Sequence, residues 1–254
     1  MIEPLLLTTT RITTMLQGRA LTSATGFFYE HGPRLFLVTS RHVLVDEPSN
    51  HHPDSIEIEL HTDAGNLTQS IGFSIPLYRN GLGLWRQARD STGSVDIAAI
   101  ELERQALPAT LCYHAFSSRD LLDDAAAVDI GSSLLVVGFP LGFHDALHHL
   151  PVVRHAINAS SFALRFQGNG YFLTDSRTHR GTSGAAVVMR TPSESNPAGF
   201  PWKLLGVHSS RLDVDTRELS VDEALGLNCV WFADVIPALV SQGRATENPD
   251  IMER

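Results

Sequence analysis

The sequence predicts an all-β protein, a barrel or a sandwich, and three observations predict it. Apolar runs are short, rich in Val, Ile, Leu and Phe, and punctuated by Gly, Pro, Asn and Asp. Helix-length segments do not alternate with these runs, as they would in a parallel α/β sheet. No internal repeat of fixed period is present, and 254 residues leave room for two barrels of about 100 residues each.

The elements follow in chain order. Gly26–Glu30 and Arg34–Ser40 read as strands joined by His31-Gly32-Pro33, a hairpin-type connection. Ser55–Leu60 and Ser94–Leu102 complete the strands of the first half. Residues 106–128 read as loop and short helix, a linker between halves. Strands are then expected over Ser133–Phe139, Arg165–Leu173, Gly184–Met189, Trp202–Ser209 and Leu227–Phe232. The end of the chain opens with a helical turn or two and becomes polar. The expected division is an N-terminal barrel (1–105), a linker (106–128), a C-terminal barrel (129–242) and a polar tail (243–254).

Composition excludes several function classes. Hydrophobic residues are 43% and charged residues 19%, the balance of a globular chain. The net charge of −9 argues against nucleic acid as a partner, which calls for a basic face. No apolar run approaches the roughly 20 residues of a membrane span. The opening MIEPLLLTTTRITTML lacks the basic and apolar regions of a secretory signal. Two cysteines, Cys112 and Cys229, are too few for a disulfide scaffold and read as reduced thiols. Together these predict a cytoplasmic protein without membrane partners. His144 and His148, four residues apart, would suit a metal only on a helix and with a third ligand. His51 and His52 form a second cluster. Neither supplies an identifiable ligand set, and no metal or cofactor is expected.

Three segments carry chemistry. FLVTSRHVL places His42 just after an apolar strand, SVDIAAIEL places Asp96 at the head of another, and HRGTSGAAVV places Ser183 in a glycine-flanked turn. Each alone is weak, but together they fit one mechanism. A serine hydroxyl needs a neutral imidazole to take its proton, and a carboxylate to fix the imidazole tautomer. The glycines allow a sharp turn that aims the Gly181 and Ser183 N–H groups at one point, an oxyanion hole.

His, Asp and Ser in that order, 54 and 87 residues apart, with T-S-R-H-V, D-I-A-A-I and G-T-S-G around them, resemble the chymotrypsin-fold serine peptidases. TGFFYE from Thr25, LLVVGFPLGF from Leu134 and LLGVHSS from Leu204 are similar to strands of bacterial HtrA-type peptidases. The resemblance covers about residues 20–240. It implies two six-stranded antiparallel Greek-key barrels with the active site between them and a short C-terminal helix. It assigns His42 as general base, Asp96 as its orienter, Ser183 as nucleophile, and Gly181 with Ser183 as the oxyanion hole. It gives Ser209 to the triad carboxylate. It makes Val207–Arg211, with Ser209, Ser210 and Arg211, the strand that pairs with an extended peptide. The G-x-S-x-G elbow of α/β-hydrolases does not fit, since Ala185 stands at its last place.

Departures from the family are informative. Thr182 stands where trypsin-like zymogens carry the Asp that pairs with a freed N-terminus, so activation by N-terminal cleavage is not expected. Arg211 replaces a Gly common at the rim of the specificity pocket. Arg177 stands six places before Ser183, where an acid would select Lys or Arg. Thr178 and His208 resemble the pocket of glutamyl endopeptidases and of picornaviral main proteases, which implies cleavage after Glu or Gln. The reading is a serine endopeptidase without cofactor, acting on a protein or peptide bound as an extended strand. The chain beyond Val240 is too short for an appended peptide-binding domain, which leaves regulation by an activating partner protein or by assembly into an oligomer. Left open are a non-catalytic or partner-gated binding module on the same fold, an esterase using the same triad, and a peptidase that makes one selective cut.

Overall fold

A computed structural model describes residues 2–90, 93–191, 200–211 and 226–241. The tail 243–254 and the side chains of Ser210 and Arg211 lie outside the described residues. The first half runs β1 (Thr9–Leu16), β2 (Arg19–His31), β3 (Arg34–Thr39), the one-turn helix α1 (Arg41–Leu44), β4 (Ser55–His61) and β5 (Ser70–Pro76). The ribbon of β6 (Tyr78–Arg79) and β7 (Leu82–Gly83), then β8 (Trp85–Asp90) and β9 (Gly93–Leu102), complete it. β2 and β3 form the expected hairpin, with Phe27 opposite Val38 and His31 opposite Arg34.

These strands make a seven-stranded sheet in the order β5-β4-β1-β2-β3-β9-β8, where six strands were expected. Sequence patterning misses three of the seven. β1 reads TTRITTML, whose buried face is built largely from threonines, Thr10 and Thr14 flanking Ile12. β5 and β8 lie at the two ends of the hydrogen-bonded order, so little of their sequence has to be apolar. β4 shows the plain alternation, with Ile56, Ile58 and Leu60 buried and Glu57 exposed between them.

The second half is a closed barrel of six strands, as expected: β10 (Ser133–Gly138), β11 (Val152–Asn158), β12 (Tyr171–Asp175), β13 (Ala186–Arg190), β14 (Trp202–Arg211) and β15 (Leu227–Phe232). Their order is β10-β11-β12-β15-β14-β13. β12 is shorter than the expected 165–173. Residues 166–168 instead form a 3₁₀ turn with Gln167 at φ 52°. The expected C-terminal helix is α2 (Ile236–Ser241). Arg34 and Arg86 both donate to the Val240 carbonyl, at 2.6 and 3.2 Å, and so cap an acceptor of its last turn.

One core joins the two sheets. Phe27, Tyr29, Phe36 and Ala99 from the first pack with Val137, Ala186, Leu204 and Val207 from the second, and with Ile236 and Leu239 of α2. Residues 106–128 are loop and 3₁₀ turn in type, yet they are stitched down rather than free. Phe116 forms a parallel bridge with Tyr29 of β2, donating to Phe28 and accepting from Glu30, and its ring meets Phe27 edge-on at 5.6 Å. The side chain is fully buried. Phe116→Ala is expected to destabilise the fold by about 3–5 kcal/mol, read as a lowered urea midpoint with unchanged slope.

Candidate active site

The residues singled out in sequence converge on the junction of the two sheets. β3 ends at Thr39 and the chain turns through Ser40 into α1, which carries His42. β9 pairs with β3, Thr39 opposite Ala98, so Asp96 near the start of β9 stands at the same end as His42. The His42 amide donates to Asp96 Oδ1 at 2.9 Å, and His42 Nδ1 lies 2.7 Å from Asp96 Oδ2. Ser209 of β14 donates its hydroxyl to the same Oδ2. The His42 side chain is 33% exposed and that of Asp96 20%, so the pair is partly buried and still reached by solvent.

Burial alone would pull the His42 pKa down. The hydrogen bond to Asp96, the Asp96 charge and the more distant Asp46 outweigh burial and the opposing Arg41 charge, so the pKa stands above the ordinary imidazole value. With Nδ1–H held by the carboxylate, the neutral ring keeps its lone pair on Nε2.

Two glycines set the turn around Ser183 by close approach. A Cβ on Gly181, at φ 90°, would come within 2.5 Å of the Phe139 carbonyl oxygen. On Gly184, at φ 84°, it would come within 2.1 Å of the Thr25 carbonyl oxygen and 2.2 Å of Thr39 Oγ1. No other residue type fits either place.

Thr25 of β2, to which sequence reasoning gave no role, organises this turn. Its amide donates to the Ser183 carbonyl at 2.9 Å, and its hydroxyl donates to the Gly181 carbonyl at 2.7 Å. The same hydroxyl accepts from the Phe139 amide at 3.1 Å, while Thr39 donates to the Thr25 carbonyl at 2.7 Å. From the other flank, the Arg180 carbonyl accepts from the Leu141 amide at 2.6 Å. Leu141 pays for that contact with φ 55°, a left-handed conformation costing about 1–2 kcal/mol in a residue with a Cβ. Among the described residues, neither the Gly181 nor the Ser183 N–H donates to a protein acceptor. The two amides expected to form the hole are therefore unfilled.

The Ser183 hydroxyl donates to the Ser209 carbonyl at 3.1 Å, and no hydrogen bond joins it to His42. The link to Asp96 thus runs through Ser209, whose carbonyl holds the Ser183 hydroxyl and whose own hydroxyl holds the carboxylate. β14 lies beside the turn, with His208 donating to the Ala185 carbonyl at 2.9 Å and accepting from Gly184 at 2.8 Å. Ser40 also donates to the His208 carbonyl, at 3.1 Å.

Thr178 and His208 are both buried. Thr178 donates its hydroxyl hydrogen to Asn228 Oδ1, and the Asn228 amide group donates to the Ser176 and Gly226 carbonyls at 2.7 and 2.9 Å. Those two acceptors fix the amide orientation, so the Thr178 proton is committed within the protein. Asn228 has no sequence signal beyond its place in LNCVWF. The histidine-rich stretch is not helical. His144 Nδ1 donates to the Gly142 carbonyl at 2.6 Å, and His148 Nδ1 pairs with Asp145 at 2.7 Å. Among the described residues, no group of three or more His, Cys, Asp or Glu side chains is arranged to hold a metal. No helix among them is long and apolar enough to cross a membrane.

A trypsin-like peptidase domain model matches residues 24–192, which span Thr25, His42, Asp96 and the Ser183 turn. The chain belongs to that family. No curated protein matches the sequence significantly. Among solved structures it is similar to the HtrA-type protease AlgW with tripeptide, at a TM-score of 0.55 and 14% identity over 93% of this chain. A serine-to-alanine variant of AlgW with tripeptide gives 0.54, with the same identity and coverage. At that identity the likeness is one of fold. The chain spans 60% of the length of each of these structures.

Within the family frame, Thr25 braces the nucleophile turn. Thr25→Val keeps the shape but leaves the Gly181 carbonyl and the Phe139 amide without a partner. The expected loss is about 1–3 kcal/mol for each group stranded, measured by urea unfolding of the purified protein.

Proposed function

We propose that the protein is a serine endopeptidase. The observation that carries this reading is the Asp96 carboxylate holding both His42 Nδ1 and the Ser209 hydroxyl beside Ser183, at a turn whose two flanking amides are unfilled. Rotation about the Cα–Cβ bond of Ser183, from one staggered well to another, moves its hydroxyl from the Ser209 carbonyl toward His42 Nε2. His42 then takes the proton as Ser183 Oγ bonds to the scissile carbonyl carbon. The oxygen that gains charge accepts from the Gly181 and Ser183 amides, each such donor being worth about 10²–10³ in turnover. The imidazolium, stabilised by Asp96, returns the proton to the leaving amine. Water repeats the sequence on the acyl-enzyme and frees Ser183.

The substrate in this reading is a protein or peptide bound as an extended strand. Among the described residues the register of β14 with β13 ends at Val207 opposite Ala186, and in this reading the peptide pairs with the backbone beyond it, from Ser209 to Arg211. A preference for Glu or Gln before the scissile bond rests on His208 as donor, because the Thr178 proton is already given to Asn228. A peptide library without enrichment of either residue would remove that preference.

One observation favours a second reading, a protease fold gated by a partner. The Ser183 hydroxyl rests on the Ser209 carbonyl rather than on His42. A fluorophosphonate probe separates the two. Label on Ser183, found by mass spectrometry and lost in Ser183→Ala, supports an activated serine, whereas a folded protein that takes no label supports gating. Hydrolysis of esters but not of peptides would instead indicate an esterase.

The pH dependence follows from His42. Only the neutral ring is a base, and its pKa stands above the ordinary imidazole value. The labelling rate is therefore expected to be low at acid pH and to rise through a midpoint above about 6.5. The charged ring is the form the folded state favours. Its contribution to stability is full below the ordinary imidazole pKa and is lost as pH rises through the raised one. A midpoint at or below the ordinary value would contradict the Asp96–His42 coupling.

A further inference from the structure

We propose that the segment Phe139–Leu147 is an apolar binding surface for the leaving half of the substrate. It selects peptides with an apolar residue at the first or second position after the scissile bond. The inference rests on the peptidase reading above and names the substrate class of that same site.

Exposed apolar side chains are normally scattered over a protein surface. Here Leu141, Phe143 and Leu147, at 71%, 69% and 65% exposed, fall within seven residues. They are three of the five most exposed large apolar side chains among the described residues. Their exposure does not come from a loose loop. Gly142 donates to the Phe139 carbonyl at 2.9 Å, Phe143 to the Pro140 carbonyl at 2.8 Å, and Leu141 to the Arg180 carbonyl at 2.6 Å. The far limb is held by Asp145 donating to Leu150 and by His61 Nε2 on the His148 carbonyl at 2.6 Å. The fold thus fixes these side chains in water, one of them on a residue in the left-handed region.

The near limb of the segment, Phe139–Gly142, also lies on the flank of the nucleophile turn away from β14. β14 borders the C-terminal flank of the nucleophile, through its bonds to Gly184, Ala185 and the Ser183 hydroxyl. Phe139–Gly142 borders the opposite flank, against Arg180 and Gly181. A peptide whose acyl half pairs with β14 crosses Ser183 and passes out over Leu141 and Phe143, beside Ser23 of β2. An apolar side chain there covers apolar surface that is otherwise wet. A charged or missing side chain does not.

The experiment intercepts the acyl-enzyme. The protein is acetylated on Ser183 by p-nitrophenyl acetate, with release of p-nitrophenol, in the presence of Gly-Gly-amide, Leu-Gly-amide or Gly-Leu-amide. The amine nitrogen attacks the acetyl carbonyl, Ser183 leaves with a proton returned through His42, and the acetyl-dipeptide amide is counted by mass spectrometry. At least one leucine-containing amide is expected to intercept about fivefold better than Gly-Gly-amide, the effect of covering roughly 40 Å² of apolar surface. Phe143→Ser and Leu141→Asn, the latter chosen because Asn tolerates left-handed φ, are each expected to reduce that advantage. The ratio is taken within each variant, so changes in acylation cancel, and the unsubstituted protein already tests the proposal should a variant misfold. Equal interception by all three amides overturns it, as does an advantage that survives both substitutions. Concentration-dependent self-association abolished by the substitutions, with equal interception throughout, would assign the surface to a second copy and overturn it too. Absence of both p-nitrophenol release and fluorophosphonate label removes the peptidase reading itself, an outcome distinct from unselective interception.

Discussion

Asp96 is the point at which the two sheets become chemically one site. Its carboxylate accepts from the His42 amide and ring on the first sheet and from the Ser209 hydroxyl on the second. Three donors supplied by the fold replace waters that this partly buried carboxylate has lost. The charge in turn raises the His42 pKa and fixes its tautomer. Ser209 then sets the position of Ser183, since one residue offers its hydroxyl to Asp96 and its carbonyl to the Ser183 hydroxyl. Everything proposed for the reaction depends on this geometry and on the shared core that keeps the sheets from sliding apart.

A second set of bonds shapes the turn that the carboxylate does not reach. Thr25, Thr39 and Ser40 all come from strands or turns of the first sheet, and all donate to backbone carbonyls near Ser183 or beside it on β14. Their hydroxyls are short, so they demand close contact, and Gly184 permits it where any Cβ would collide with Thr25. Several modest bonds of about 1 kcal/mol each thereby accumulate on one turn. They hold it in a shape in which the Gly181 and Ser183 amides point at no protein acceptor.

Much of this was legible in the sequence, and the limits have physical causes. His42, Asp96 and Ser183 each sit in a local signature, a strand end or a glycine-flanked turn, because local backbone shape is what presents them. Ser209 was legible through the resemblance of its strand. The role of Thr25 was not, because its partners are Ser183 and Gly181, some 156 residues away in the latter case, and a threonine in a strand looks like any other. Leu141 was hidden because nothing in P-L-G announces a left-handed leucine whose amide is drawn to Arg180. The Thr178 pocket was drawn with a free hydroxyl because Asn228, 50 residues on, gives no sign that it takes the proton. β1 escaped because threonines form much of its buried face, and the six strands expected for the first sheet came from the family resemblance, where the structure has seven.

Thr182 bears on how such a turn can be held. In trypsin-like zymogens the equivalent place is an aspartate whose buried charge waits for an amine. Here a threonine occupies it, is almost wholly buried, and its hydroxyl has no hydrogen-bond partner among the described residues. A buried ion pair roughly breaks even against desolvation, and half of one is strongly destabilising, so a charge at this place makes the turn conditional on its partner. A neutral side chain removes that condition at the smaller cost of an unsatisfied hydroxyl, about 1–3 kcal/mol. Among the described residues, neutral bonds of Thr25 and Leu141 hold the turn. The segment from Phe139 to Gly142 touches both, since its first amide meets the Thr25 hydroxyl and its third meets the Arg180 carbonyl. The segment thus joins the backbone of Leu141 to the turn that carries the Gly181 and Ser183 amides.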